Sequence, residues 1–400
     1  MPEKNLFLVF DNLKEEHLSK DVGELISESD GTTFHKSYIY TSTKSDFNQK
    51  KQLPPIVNIK NSYFPKISIR LAVFSQIKSG DFLLLYHGGF INYIFANLLR
   101  LFKPKVRIIL KLDMDELTLR RIQNKLSYSE KIKHLLRNIL GSFIDVYIVE
   151  TQYVFDKISR LKPFKSSVSL IPNGINAKEP YRWDTGKENI IIVIGRIGAC
   201  QKNHELLLKA FILTQNQDGY KLYFVGPVEA NFSRFFEVLC QENPKLQDSV
   251  IFTGNIENKE ELYQYYKRAK IVAFSSYYEG FSIAMIEAMY FGCYLISTDL
   301  AVANDLSLNG TYGKIVQINR QLLSKMEKYG VVDYVKYIHA NLDEIRHSSW
   351  FEKSVDLYAS ALDEVISYSF DISNVRENSQ RIFNEYNWAK IRNVFNETIR

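Results

Sequence analysis

Cysteine is scarce in this 400-residue chain, and the three that occur are far apart. Cys200, Cys240 and Cys293 lack the close spacing of a metal site, and an odd, sparse set does not make a disulfide framework. The opening residues also lack an apolar run long enough for a signal peptide. We therefore predict a cytoplasmic protein without a metal site.

An unbroken apolar run of membrane-spanning length is missing as well. The best candidate, residues 82–102, is long enough to cross a bilayer, but His87-Gly88-Gly89 interrupts it. It also carries Asn92, Asn97 and Arg100, which would be costly in hydrocarbon. We predict instead a buried strand, a glycine turn and a buried helix.

Acidic residues are few between Lys51 and Arg137, where only five occur. Residues 1–180 carry 27 Lys and Arg against 18 Asp and Glu, whereas the rest of the chain carries 24 against 27. A basic surface of this kind favours anionic lipid or an anionic acceptor. Nucleic acid is the rival partner, but no nucleic-acid-binding motif accompanies the charge, so we predict no nucleic-acid binding.

A basic amphipathic helix is predicted within this half, over residues 129–143. Its apolar residues recur at helical spacing on one face, namely Ile132, Leu135, Leu136, Ile139, Leu140 and Phe143. Lys131, Lys133 and Arg137 lie elsewhere on the circumference. Such a helix either lies on a membrane or packs on the first sheet, and the sequence leaves both open.

Apolar strands alternate with helical segments along the chain. Strands are predicted at residues 5–10, 37–40, 81–86, 106–112, 144–149, 190–194, 221–225, 250–252, 271–274 and 294–297. This alternation predicts doubly wound parallel sheets, and 400 residues exceed one hydrophobic core. The predicted fold is therefore α/β, with Rossmann-like domains at residues 1–180 and 181–385.

Two carboxylates flank a predicted helix start in the fifteen residues SSYYEGFSIAMIEAM. Glu279 lies on the loop, and Glu287 lies in an otherwise apolar helix, where a carboxylate usually has a partner or a task. Backbone N–H groups at such a start favour phosphate, here those of Gly280, Phe281 and Ser282. A nucleotide-diphosphate sugar, with hydroxyls on both sides of its phosphates, fits this layout.

Two basic residues follow the strand at 190–194. Arg196 and Lys202 lie on the loop after Gly195, and open α/β sheets bind ligands at the carboxyl ends of their strands. Departure of a nucleoside diphosphate builds negative charge. Two fixed cations stabilise that charge in the transition state.

Four segments resemble, in order, retaining glycosyltransferases of the GT-B fold, and family 4 (glycosyl transferases group 1) most closely. Glu279-Gly280-Phe281-Ser282, with Glu287 eight residues after Glu279, resembles their paired-glutamate signature. The other three segments are IPNGI at 171–175, VIGR at 193–196 with KNH at 202–204, and FTGNI at 252–256. The resemblance covers about residues 165–318.

This resemblance implies two domains that face a central cleft, with the donor on the second domain and the acceptor on the first. It implies that Glu279 meets the donor sugar, that Glu287 meets the ribose, and that Arg196 and Lys202 hold the diphosphate. Ile256 either approaches the nucleotide base or belongs to the core. A helix at about 386–400 would cross back onto the first domain. No cofactor or metal is implied beyond a UDP- or GDP-sugar co-substrate.

Two strand ends of the first half supply candidate acceptor-side residues. His87 follows the strand at 81–86, and Asp113 follows the strand at 106–112. Family members often line the reacting centre with a residue near Asp113, and many carry a histidine there, whereas this chain has Lys111-Leu112-Asp113. His87 and Asp113 therefore join Glu279, Arg196 and Lys202 as catalytic candidates.

The resemblance implies a retaining transferase that moves a sugar from a nucleotide-diphosphate sugar to an acceptor hydroxyl. The basic half predicts a lipid-linked or surface-polysaccharide acceptor, and a peripheral position on the inner face of the cell membrane. A non-catalytic GT-B module that binds nucleotide or saccharide is the alternative. A nicotinamide-dependent dehydrogenase is set aside because no Gly-x-Gly-x-x-Gly follows the first strand.

Overall fold

The computed structural model describes residues 4–27, 34–43, 47, 53–60, 62–123, 128–162, 164, 167–182, 186–215, 219–328, 331, 333–367 and 372–400. The chain divides into two compact units. Unit 1 comprises residues 1–114, 125–176 and 386–400, and unit 2 comprises residues 115–124 and 177–385. The side chains of Lys131 and Lys133, predicted for the polar side of the basic helix, lie outside the described part.

The strands of the described residues form two sheets, and every pairing in them is parallel. They are β1 (Asn5–Val9), β2 (Lys36–Thr41), β3 (Ile56–Asn58), β4 (Phe82–Tyr86), β5 (Arg107–Lys111), β6 (Val146–Val149), β7 (Val168–Leu170), β8 (Glu188–Ile194), β9 (Lys221–Val225), β10 (Val250–Gly254), β11 (Ala269–Phe274), β12 (Tyr294–Thr298) and β13 (Gly313–Val316). The prediction of two parallel-sheet α/β domains is confirmed.

Helices connect these strands and form most of the chain after β13. They are α1 (Glu15–Leu18), α2 (Asp21–Glu24), α3 (Pro65–Gln76), α4 (Phe90–Phe102), α5 (Glu116–Gln123), α6 (Tyr128–Leu140), α7 (Gln152–Ile158), α8 (His204–Leu213), α9 (Ala230–Glu242), α10 (Leu246–Ser249), α11 (Lys259–Arg268), α12 (Ile283–Tyr290), α13 (Ala301–Leu306), α14 (Asn319–Lys328), α15 (Tyr334–Ala340), α16 (Leu342–Arg346), α17 (Ser349–Ser367), α18 (Ile372–Tyr386) and α19 (Trp388–Ile399).

Unit 1 is built on a seven-stranded sheet of order β3-β2-β1-β4-β5-β6-β7. Its central strands are buried on both faces and are therefore almost wholly apolar, as in other parallel sheets. The last helix, α19, contributes Trp388, Ile391 and Phe395 to the core that contains β1 and β4. The chain enters α19 through a backbone bond from the Trp388 N–H to the Ile175 carbonyl, at 3.2 Å.

Unit 2 is built on a six-stranded sheet of order β10-β9-β8-β11-β12-β13. Its core also contains a short segment from the first half of the chain. Residues 115–124, which the sequence prediction places in the first domain, group with unit 2. The reason is that Leu117 of α5 belongs to the unit 2 core, and Arg120 pairs with Glu327 of α14 at 2.5 Å.

The apolar segment at 82–102 folds as a buried strand, a glycine turn and a helix. The predicted buried helix, α4, is buried on one face and exposed on the other. Tyr93, Ala96 and Leu99 pack inward, whereas Leu101 and Phe102 are 73% and 65% exposed. Within the described part of the chain, no helix combines the length and the apolarity that a membrane crossing requires.

Helix α6 contains most of the predicted basic amphipathic segment. The sequence leaves open whether its apolar face lies on a membrane or packs on the sheet. In the structure, Ile132, Leu135, Leu136 and Ile139 are all exposed. The apolar face of α6 therefore does not pack on the unit 1 sheet.

Candidate active site

The ends of β8 and β11 lie where the strand order of the unit 2 sheet reverses. Ligands of open α/β sheets bind at such a switch point, because the loops there diverge. After β8 the chain passes through Gly195, whose carbonyl oxygen would lie 1.9 Å from a Cβ atom on Gly226. Gly226 follows β9, and only glycine at this position, with its φ of 139°, allows this close approach of the ends of β8 and β9.

Lys202 and Glu279 are in direct contact at this edge. The Lys202 Nζ lies 2.6 Å from Glu279 Oε1, and the Ser276 hydroxyl donates to the same oxygen at 2.7 Å. Gln201 donates to the other carboxylate oxygen at 3.4 Å. Three donors orient this carboxylate, and its remaining lone pairs are able to accept hydrogen bonds from hydroxyl groups.

His204 stabilises the loop that carries Lys202. Its Nδ1 accepts a hydrogen bond from the Gly198 N–H at 2.9 Å. Burial, and then the charge of Lys202, lowers the pKa of His204 to about 3. The ring is therefore neutral at physiological pH, with Nδ1 unprotonated as this bond requires.

Arg196 and the start of α12 lie on the same two loops. Arg196 is mostly exposed, and its Nε lies 3.7 Å from a carboxylate oxygen of Glu229. Ser282 is the N-cap residue of α12, which follows Gly280 and Phe281. The backbone N–H groups of a first helical turn favour an anion.

Glu287 lies on α12, nearly buried, and contacts groups other than Lys202. The Tyr266 hydroxyl donates to Glu287 Oε2 at 3.2 Å, and Lys259 Nζ lies 3.5 Å from Oε1. Ile256 is half-buried on the loop after β10. The structure thus joins Lys202 directly to Glu279, whereas Arg196 and Glu287 form their ion pairs with other residues.

Unit 1 brings together the two acceptor-side candidates. His87 follows β4 and Asp113 follows β5, and their side chains approach to 3.8 Å between Nδ1 and Oδ2. Both side chains are substantially exposed. Both residues have a positive φ, of 64° and 47°, which is uncommon for a residue other than glycine. Strained backbone of this kind is often found at functional sites.

The family model of the glycosyl transferases group 1 matches residues 177–328. This segment belongs to the glycosyl transferases group 1. The group 1 segment contains Arg196, Lys202, Ile256, Glu279 and Glu287. All of the donor-side candidates therefore lie in it, and both acceptor-side candidates lie outside it.

Curated relatives match this chain over part of its length. One is the GalNAc-alpha-(1->4)-GalNAc-alpha-(1->3)-diNAcBac-PP-undecaprenol alpha-1,4-N-acetyl-D-galactosaminyltransferase of Campylobacter jejuni, 29% identical over 198 residues, 48% of this chain and 52% of that protein. Another is the alpha-monoglucosyldiacylglycerol synthase of Streptococcus pneumoniae, 25% identical over 272 residues, 63% of this chain and 60% of that protein. The chain thus spans about half to three fifths of the length of these relatives.

Solved structures resemble the chain over its whole length. Sucrose-phosphate synthase from Thermosynechococcus elongatus matches with a TM-score of 0.67 and 16% identity, over 99% of this chain and 98% of that one. A likeness at this identity establishes the fold, which is the GT-B fold.

Sequence reasoning missed several residues that support the group 1 segment and unit 1. Ser276 and Tyr266 hold the two glutamates but belong to no charged motif. Lys111 and Glu150 form a buried ion pair in unit 1. Their only signal in the sequence is a charged residue at the end of an apolar strand, and that pattern does not reveal that the two residues are partners.

Proposed function

We propose that this protein is a retaining glycosyltransferase that uses a nucleotide-diphosphate sugar. The observation that carries the proposal is the contact of 2.6 Å between Lys202 and Glu279 at the switch point of the unit 2 sheet. It places a fixed cation and an oriented carboxylate together at the edge where open α/β sheets bind ligands.

Each group has a role in this proposal. Lys202 and Arg196 stabilise the charge that develops on the departing diphosphate, together with the N–H groups of Gly280, Phe281 and Ser282. Glu279 exchanges part of its contact with Lys202 for hydroxyls of the donor sugar. Glu287, oriented by Tyr266, accepts hydrogen bonds from the ribose. No metal ion is needed in this scheme, so transfer should be insensitive to a chelator.

The acceptor we propose is a lipid-linked saccharide bound to unit 1 near His87 and Asp113. The names of both curated relatives specify an alpha product and an acceptor or product attached to undecaprenol or diacylglycerol. An α-linked product from an α-linked donor is retention. The acceptor hydroxyl would attack from the face of the leaving phosphate, whose oxygen would take the proton.

A thermal-shift screen with UDP, GDP, ADP and their sugars tests the donor site. A nucleotide at a hundredfold excess over its Kd stabilises the protein by about 2.7 kcal/mol. The stabilising donor is then offered with an undecaprenyl-diphosphate oligosaccharide or with monoglucosyldiacylglycerol, and the anomeric configuration of the product is read by NMR. We refer to this assay as the transfer screen.

Glu279→Gln is the decisive variant in the transfer screen, because it keeps the size of the side chain and removes the charge. Glu242→Gln, at an exposed position on α9, is the matched control. Transfer should fall about 100-fold or more in the first variant only. Nucleotide binding without any transfer by the wild type would instead support a non-catalytic binding module.

We further propose that unit 1 lies on an anionic membrane. Exposed apolar side chains on α3, α4 and α6, with one after α6, form what we call the apolar surface: Ile67, Leu71, Ile94, Leu98, Leu101, Phe102, Ile132, Leu135, Leu136, Ile139 and Phe143. Helix α4 contacts both α3 and α6. The rings of Phe74 and Phe102 are 5.9 Å apart, and Asn97 on α4 donates to the Leu140 carbonyl of α6 at 2.9 Å.

A helix on the surface of a soluble domain normally turns polar residues outward, so an apolar outer stripe indicates a partner. Exposed Lys66 precedes Ile67 in the chain, and exposed Lys105 lies between Phe102 and Ile132. Apolar side chains with basic neighbours fit the interface of an anionic bilayer. A lipid-linked acceptor would be held in the same membrane.

Vesicle sedimentation tests this part of the proposal. We expect the wild type to bind phosphatidylcholine vesicles that contain phosphatidylglycerol, and to bind less well at high salt. The double variant Leu101→Gln, Phe102→Gln should bind at least about 10-fold more weakly, because two large apolar side chains are lost. Leu213→Gln, at a 52% exposed position of α8, is the control and should bind like the wild type. Equal binding of all three proteins would contradict the proposal.

A further inference from the structure

A buried cation lies at the carboxyl edge of the unit 1 sheet. Lys111 is the last residue of β5 and is fully buried. Its Nζ contacts a carboxylate oxygen of Glu150, and it lies 3.1 Å from Asp21 Oδ2 and 3.3 Å from Asn173 Oδ1. These partners come from three segments, since Glu150 follows β6, Asp21 opens α2 and Asn173 follows β7. We call these four residues the Lys111 cluster.

Stability alone does not explain the Lys111 cluster. Burial lowers the pKa of Lys111, but the carboxylates of Asp21, Glu150 and Asp113 raise it above its usual value, so the ammonium stays charged. Glu150 Oε2 is buried and accepts no hydrogen bond from the described residues. Apolar side chains of similar volume are often as stable as a buried ion pair, so charge at this place points to another role.

The two acceptor-side candidates are attached to Lys111 through the main chain. The His87 N–H donates to the Lys111 carbonyl at 2.8 Å, which continues the β4–β5 ladder beyond the strands. Asp113 follows only two residues after Lys111. Both candidates lie in left-handed turns, where the backbone conformation depends on the anchoring of the adjacent strand end.

We propose that Lys111 is a positioning residue for the acceptor: its cluster fixes the strand ends that carry His87 and Asp113. The inference rests on the proposed transferase function, and it adds which part of unit 1 directs the acceptor hydroxyl. Water needs no such direction, because it can attack a bound donor without contacting unit 1. Loss of the Lys111 cluster should therefore impair transfer to the acceptor and spare hydrolysis of the donor.

The test compares Lys111→Met and Asp21→Asn with Lys36→Met. Lys36 is exposed on β2, at the opposite end of the same sheet, and is the matched control. Asp21→Asn removes one carboxylate from Lys111 at a partly exposed position, so it keeps the test informative if Lys111→Met does not fold. The donor and acceptor are the pair with the highest turnover in the transfer screen.

We expect the ratio of transfer to donor hydrolysis to fall about 10- to 100-fold in Lys111→Met, since misplacing a reacting group by about 1 Å has effects of that size. Asp21→Asn should show a smaller fall in the same direction. The thermal shift with nucleotide should be unchanged in both. A merely structural role would lower transfer and hydrolysis together.

The inference is overturned if folded Lys111→Met or Asp21→Asn shows the transfer-to-hydrolysis ratio and the acceptor KM of Lys36→Met. That result leaves the proposed function intact, because the wild type would still transfer sugar. Failure of the proposed function looks different. The wild type would then neither bind a nucleotide nor turn over any donor.

Discussion

Each unit places a lysine against a glutamate across two neighbouring parallel strands, at the carboxyl edge of its sheet. In unit 2, the side chains of Lys202 and Glu279 are 20% and 9% exposed. In unit 1, the side chains of Lys111 and Glu150 are 0% and 1% exposed. The same ion pair is thus within reach of a ligand in one unit and sealed in the other.

This difference in solvent access suits one lysine–glutamate pair to ligand binding and the other to holding the chain around it in place. A ligand that brings phosphate and hydroxyl groups can replace the partners of Lys202 and Glu279 one for one. Nothing from solution reaches Lys111, so its charge acts only on the chain around it. Removing one member of such a sealed pair leaves an uncompensated buried charge.

Lys202→Met is the strongest test of the comparison. Loss of a fixed cation at the leaving phosphate should lower kcat/KM about 100- to 1000-fold and should abolish the thermal shift with nucleotide. Lys111→Met should retain the nucleotide shift, because its site lies in unit 1. Lys221→Met, at an exposed position that opens β9, controls for the lost charge. An unchanged thermal shift with nucleotide in Lys202→Met would contradict the claim that the accessible pair binds the ligand.

Lys202→Met should have the larger effect on nucleotide binding, whereas Lys111→Met should have the larger effect on the free energy of unfolding. Urea unfolding at about pH 9, above the raised pKa of Glu150, should show a loss of about 3–5 kcal/mol for Lys111→Met, because Glu150 and the partly exposed Asp21 lose their counter-charge. Lys202→Met should lose about 1 kcal/mol or less, since water can reach Glu279. Equal losses would show that the two pairs do not differ in how deeply they are sealed.

Much of the fold could be predicted because buried parallel strands read as continuous apolar runs. The strands that were missed are short: Ile56–Asn58, Val168–Leu170 and Gly313–Val316. Runs of three or four residues carry too little pattern to separate them from loops. Helical periodicity likewise showed the apolar face of α6 but could not show which way that face turns.

The candidate site residues likewise divide into those with a local sequence pattern and those without one. Lys202, Glu279 and Glu287 could be found because each lies in a short local motif. Lys111 and Glu150 are 39 residues apart, and only the register of β5 against β6 brings them together. Since that register depends on packing across the whole sheet, no local pattern reports it.

The response to pH sharpens the contrast for Glu150. Burial raises the pKa of Glu150, with Asp113 and Asp21 adding to the effect and Lys111 opposing it. The folded protein therefore holds a proton that the unfolded chain releases above a pH of about 4.3. Stability should fall as pH rises from there through the raised pKa, by up to about 1.4 kcal/mol per pH unit.

Glu150→Gln removes this titration. The Tm of the variant minus the Tm of the wild type should therefore increase from about pH 5 to about pH 8. Glu242→Gln should follow the wild type at every pH. A constant difference between Glu150→Gln and the wild type would show that Glu150 has the same pKa in the folded and unfolded states.

The smallest expected effect concerns Glu287, the second carboxylate of the donor site. The Tyr266 hydroxyl orients it from a fully buried position, and burial raises the pKa of Tyr266 well above its ordinary value, so this group remains a donor at assay pH. Tyr266→Phe should destabilise the protein by about 1 kcal/mol. It should also raise the donor KM about threefold with little change in kcat, because ground-state and transition-state binding of the donor weaken equally.

Tyr358→Phe is the control, because it removes a comparable buried bond, to the Phe274 carbonyl at 3.1 Å, away from Glu287. It should cost similar stability and leave the donor KM unchanged. A raised KM in both variants would mean that the donor site responds to general loosening of unit 2 and not to the orientation of Glu287.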